Sequence, residues 1–306
     1  MRASPDITFA ARWSYGRRHS VCGHAQHGMK GFVVLGLLAS LAGTADGAFR
    51  DDQGNLVLAD CAQARAWLPE AGRLVAGDVY AVLDGALACA QGGDAVALKS
   101  LLKLADAAPP PDLADEISNG VKRIRILLAV GDVERAEARL LATGATTVAA
   151  LREQTNDADI ATQAFWQTSL NNQAATRLRS THPRRAIDHQ LLAADLHELA
   201  GDMGSKDFAF LYHQVALDIA RAGGLIDESL RTARQLLALH ARYPDLDRSR
   251  SASSVAGAAL IAAAAGRAAE SNALLDELAE TGWKEAAGLV DEVRLLIEQK
   301  APSGNQ

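Results

Sequence analysis

The residues best suited to chemistry are the histidines His182, His189, His197, His213 and His240. Imidazoles that converge hold a divalent metal or pass a proton. His189 and His197 are eight positions apart, about two helical turns, which sets them on one face about 12 Å apart along the axis. One metal needs a third element folded in to span that gap. His197 and His213 meet only across a helix hairpin. We read these histidines as partly exposed groups on helix surfaces rather than a metal centre or an acid–base pair. His189, His197 and His213 stay candidates for lining a binding groove.

The second concentration is AFWQTSLNNQAATRLR at residues 164–179. Phe165 and Trp166 precede Asn171, Asn172, Gln173, Arg177 and Arg179. Amides satisfy an extended backbone, and arginine captures carboxylates. The pattern predicts a peptide-binding groove lined by Trp166, Asn171, Asn172, Arg177 and Arg179. The plainer alternative is an aromatic anchor in the core with a solvated polar face. Acidic pairs such as Asp51-Asp52 and Asp276-Glu277 have nothing to position them, and read as charge on helix surfaces. No phosphate-cradling glycine loop, zinc-protease signature, nucleophile elbow or EF-hand loop is present. No catalytic residue, metal site or cofactor is expected.

Cys22, Cys61 and Cys89 are the cysteines. Cys61 and Cys89 suggest one disulfide in an exported chain. The alternative is two small buried thiols in helix packing.

The elements that would position these residues are helices. Ala and Leu make about a third of the 306 residues, aromatic residues only 5%, and both Ala and Leu are strong helix formers. Breakers such as Gly92-Gly93, Pro109-Pro110-Pro111, Gly131-Asp132, Gly201-Asp202, Gly223-Gly224 and Gly266 divide the chain into helix-length segments. Asp112 and Asp132 are placed as N-caps. Phe208, Leu211, Tyr212, Val215 and Ile219 form one apolar stripe, and Leu225, Ile226, Leu230, Ala233, Leu237 and His240 another. VAGAALIAAAAG at 255–266 is apolar all round but too short for a membrane span, so it reads as a buried helix. A bulky residue at Ala259 or Ala263 should overpack it.

Turns are followed at fixed offsets by a small and then a larger residue. The pairs are Ala97 and Leu101, Ala136 and Leu140, Ala209 and His213, and Ser271 and Leu275. This pattern resembles the tetratricopeptide repeat, most closely over LLAADLHELAGDMGSKDFAFLYHQVALDIARAGG at 191–224. The turns are unevenly spaced, and the aromatic positions of the family are mostly Leu or His here. The expected fold is all-α: a tetratricopeptide-like right-handed solenoid of helix hairpins, or an irregular helical array. The resemblance implies protein or peptide binding on a concave helical surface.

The N-terminal region reads as processing signals. Lys30 followed by GFVVLGLLASLAGTA has the layout of a secretory signal peptide over 29–45, with Ala45 at the cleavage site. An uncleaved anchor is the alternative. Met29 directly precedes it, so residues 1–28 read as a mis-assigned extension. An irregular lead-in or small hairpin is expected over 46–60, a helical domain over 61–300 and a disordered tail over 301–306. Without residues 1–45 the chain keeps 26 basic and 36 acidic residues, a net charge of about −10, which excludes a nucleic-acid footprint. These features together predict an exported, periplasmic or secreted, non-catalytic scaffold with a protein or peptide partner and no membrane span in the mature chain. The alternatives are an enzyme with a His/Arg-lined cleft and a structural, self-associating module.

Overall fold

A computed structural model describes residues 49–71, 74, 77–108, 110, 112–153, 157–200 and 205–300. The expected extension 1–28, expected leader 29–45 and expected tail 301–306 lie outside the described residues. The described chain is all-helical. Its twelve α-helices are α1 Cys61–Trp67, α2 Asp78–Gly92, α3 Ala95–Ala107, α4 Leu113–Ala129, α5 Val133–Glu153, α6 Ala158–Leu178, α7 Pro183–Leu199, α8 Lys206–Ala222, α9 Ile226–Arg242, α10 Arg248–Ala264, α11 Ala268–Glu280 and α12 Lys284–Lys300. None of the described helices is long and apolar enough to cross a membrane.

Tight turns close the hairpins α2–α3, α4–α5, α8–α9 and α10–α11. Gly93, Gly131, Gly224 and Gly266 adopt φ of 64–81° there, a conformation that glycine enters without a Cβ penalty. The next residue's N–H closes each turn back on the helix, as in Asp94 N–H to Cys89 O and Arg267 N–H to Ala262 O, both 3.0 Å. Aspartates then cap two of the helices that follow, α3 and α5: the Asp94 carboxylate accepts from Ala97 N–H, and Asp132 from Arg135 N–H. All eight residues of the small-then-large pairs are buried. A small side chain lets two helix axes approach, and the larger one fills the space a turn later.

Consecutive helices pack most closely, above all α6 on α7 and α7 on α8, and next-but-one pairs such as α2 with α4, α5 with α7 and α10 with α12 also touch. Arg184–Glu228 and Glu198–Arg242 tie α7 to α9, and Arg234–Glu277 ties α9 to α11. The core is a series of local clusters, the first over residues 56–58, α1–α3 and Ile126 of α4 and the last over α8–α12, as expected where each hairpin buries itself on its neighbours. Hairpins and the final helix start at residues 78, 113, 158, 206, 248 and 284, 35 to 48 apart, against an even 34 for the tetratricopeptide repeat. The stretch 191–224 spans the end of α7 and all of α8, so it joins two hairpins.

The lead-in is a small ribbon. Arg50 and Leu56 face each other in an antiparallel bridge, and the Asp51 carboxylate accepts from Gln53 N–H and Asn55 N–H, both 2.9 Å. Cys61 and Cys89 are joined by a disulfide that pins α1 to α2. Gly85 is what lets them meet: a Cβ there would lie 2.9 Å from the Ala64 Cβ and 3.2 Å from the Leu58 Cβ.

Residues 255–266 belong mostly to α10. Ala259 is fully buried, and its carbonyl accepts a 2.7 Å hydrogen bond from Ser271 Oγ on α11. Ala263 is only half-buried, so the two positions differ. Ala259→Leu is expected to cost about 1–3 kcal/mol by overpacking, and Ala263→Leu far less. Urea unfolding of the two variants tests this, and equal midpoints would refute it.

Candidate functional site

α8 carries two adjacent stripes. The buried one is Ala209, His213, Ala216, Leu217 and Ala220. The stripe read from sequence as a core face starts instead on the surface: Phe208 is 51% and Leu211 37% exposed. The small residues win the interior because they let α8 lie close to its neighbours. The larger stripe next to them stays partly outside.

α6 runs antiparallel to the end of α7 and adds Phe165, 42% exposed, and Trp166, 49% exposed. The His197 ring lies among these side chains. It stacks on Phe208 with centroids 5.3 Å apart, and lies 5.7 Å from Tyr212 and 6.0 Å from Phe165. Phe165 meets Trp166 edge-on at 6.1 Å. The His197 Nδ1 accepts from Ser205 N–H at 3.2 Å, so the neutral ring carries its proton on Nε2. Burial lowers the His197 pKa. The result is an exposed aromatic surface across α6, α7 and α8 with an imidazole at its base.

Of the remaining histidines, His182 is exposed, whereas His189, His213 and His240 are inside the helix packing, which corrects the reading of these three as partly exposed groups. His189 Nδ1 lies 2.7 Å from Asn171 Oδ1. Asn171 in turn donates to Gln167 O, and Gln167 Nε2 donates to Thr147 Oγ1 at 2.8 Å. This links α5, α6 and α7 through buried amides. A second group joins α8, α9 and α10: His240 Nε2 lies 2.7 Å from Ser251 Oγ, to which Gln214 Nε2 donates at 3.3 Å. Burial, with Arg185 adding, pushes His189 down to about 4, and burial with Arg242 pushes His213 to about 4. His240 is also lowered, by burial and then Arg248. These rings are neutral packing groups at pH 7. No cluster of three or more metal-ligating side chains occurs among the described residues.

The groove residues therefore separate. Trp166 and His197 come together through Phe165, and Asn171 and His189 bond beneath the surface. Asn172 accepts from Gln190 Nε2 at 3.0 Å. Arg177 and Arg179 are exposed at the far end of α6, about 17–20 Å along the axis from Trp166. His213 is 4% exposed and buried in α8 packing. No convergent His/Arg cleft forms among them. The sequence reading passed over Phe208 and Leu211. The pair Ala209 and His213 held the signal, because a buried 209/213 face turns residue 208 outward.

Against known proteins, the chain matches no family model, no curated protein and no solved structure.

Proposed function

We propose that this chain is an exported, non-catalytic scaffold that docks an apolar segment of a protein partner on the aromatic surface of α6–α8. The carrying observation is the exposure of Phe165, Trp166 and Phe208 around one imidazole in a chain with only 5% aromatic residues. Aromatic side chains that gather on a surface mark interaction sites, and Trp and Phe supply the large contact areas on which such sites depend. The packing of each helix on its neighbours supports a tetratricopeptide-like mode of use, in which neighbouring helices jointly present one surface. Export is supported by the leader-like residues 29–45 and by the Cys61–Cys89 disulfide, a bond suited to an oxidising compartment such as the periplasm. The dispersal of the histidines and arginines weighs against the enzyme alternative.

Affinity capture from the envelope fraction of the source cell tests the reading. Trp166→Ala with Phe208→Ala should cut recovery of the partner at least tenfold, since hot-spot truncations cost about 2 kcal/mol or more. Asn172→Ala with Arg179→Ala should leave recovery near wild type. Full recovery with the aromatic variant would sink the proposal. A dimer that the same variant dissociates, seen by light scattering, would make the occupant a second copy and favour the self-associating module.

A further inference from the structure

We propose a second binding site, independent of the aromatic surface, in the cleft between residues 55–59 and α2. It takes an extended acidic peptide segment, added as a strand to the lead-in ribbon with a carboxylate on Arg125. The cleft is about 640 Å³.

Among the described residues, segment 55–59 pairs its backbone with residues 49–51 along one edge. Val57 N–H donates to Phe49 O at 2.8 Å, and Asp51 N–H donates to Asn55 O at 2.9 Å. Backbone groups alternate sides along an extended chain, so Leu56 and Leu58 present theirs to the opposite edge. Neither of those N–H groups has a hydrogen-bond partner among the described residues. The cleft is lined by all of 55–59 and by none of 49–51, so the open edge is the one that faces it. An unpaired edge is a template for another extended chain. The Leu56 and Leu58 side chains are buried against the core, which fixes the edge in place before any ligand arrives.

The opposite walls supply the fit and the sign of charge. Ala81 and Ala88 line the α2 side, and their short side chains leave space for a backbone. Segment 55–59 offers an edge for about five residues at 3.3 Å each. Lys122 Nζ sits 3.2 Å from the Tyr80 ring centroid and is paired with Asp84, which neutralises that carboxylate. Arg125 is exposed, lines the cleft and makes no ion pair among the described residues. The cleft thus carries one uncompensated cation on a chain of net charge −6. Guanidinium with a carboxylate is the matching pair. The overall negative charge repels acidic peptides elsewhere on the surface, so retention of one reports this site.

Fluorescence anisotropy with the full chain tests the proposal, using a labelled hexapeptide of alternating valine and glutamate. Controls are the valine–glutamine version and a valine–glutamate version N-methylated at alternate residues. We expect the glutamate peptide to bind, Arg125→Gln to weaken it about tenfold, and both controls to bind at least tenfold more weakly. No binding of the glutamate peptide at millimolar protein overturns the proposal. Equal binding of the glutamine peptide, or indifference to Arg125→Gln or to N-methylation, also overturns it. Binding lost in Trp166→Ala with Phe208→Ala but kept in Arg125→Gln moves the peptide to the aromatic surface, which refutes this site and leaves the docking surface standing.

Discussion

Lowering the pH from 7 to 5 is expected to destabilise the folded chain by about 4 kcal/mol, reversibly and without loss of the disulfide. The cause is the pair His189 and His213, both pushed to about 4 in the fold by burial. In the unfolded chain each returns to about 6.5. Between those values the unfolded chain binds protons that the folded chain refuses, so stability falls as pH falls. The loss begins below about pH 6.5 and is complete below about pH 4. At pH 5 linkage gives about 2 kcal/mol for each ring. His197 and His240 are lowered as well and act in the same direction. Asp195 acts in the opposite one, because burial raises its carboxyl and a raised carboxyl favours the fold once it protonates. That gain starts at the raised value and is complete near the ordinary 3.8. Asp115 and Asp188, also raised by burial, act with it, so the carboxyls offset part of the histidine loss. Urea denaturation followed by circular dichroism at pH 7 and pH 5 measures the difference. His213→Gln removes one titrating ring and should reduce the pH-dependent loss by about half, whatever it does to stability at pH 7. A midpoint unchanged between the two pH values, or a slope untouched by His213→Gln, would contradict the assignment.

These histidines also mark where sequence reading stopped. Ala97, Leu101, Ala136, Leu140, Ser271 and Leu275 were legible because helix packing demands a small residue at the contact and a larger one a turn later. That requirement is local, so it leaves a local trace. The same pattern covered Ala209 and His213, yet the polarity of imidazole argued for the surface. What buries His213 is the crowding of α8 by its neighbours, which no window around residue 213 contains. The aromatic surface was hidden for a related reason. Phe208 and Ala209 begin two stripes about 100° apart on one helix, and periodicity alone does not say which stripe meets a partner. The cleft was the least legible of all. It needs residues 55–59, α2 and Arg125 to meet, and the separation between 59 and 125 leaves no periodic signal. The cysteine pair lay at the boundary: a bond was one of two readings, and only the approach of α1 to α2 over Gly85 distinguishes it from two free thiols.

That approach gives the second large effect. Reducing the Cys61–Cys89 bond, or replacing both residues by serine, is expected to cost about 3–4 kcal/mol of chain-entropy stabilisation for a loop of 28 residues. The loss should be confined to one end. α1 has seven residues, far too few to hold a helix alone. It is kept by the disulfide, by the buried Trp67 and Ala64, and by the Asp60 carboxylate that accepts from Gln63 N–H. With the bond cut, α1 and the ribbon before it can detach together from α2 and α3, because their cluster reaches no further along the chain than Ile126 of α4 and hairpin arrays lose structure locally. Amide hydrogen exchange with and without reductant should show protection lost over 61–67 and in the ribbon, with α8–α11 unchanged. Uniform loss along the chain would mean that the array unfolds as one unit, and no loss would mean that packing alone holds α1. The two proposed sites then part under reduction. The acidic-peptide cleft loses the wall formed by 55–59, so anisotropy should fall to baseline. The aromatic surface on α6–α8 touches none of these residues and should retain its partner.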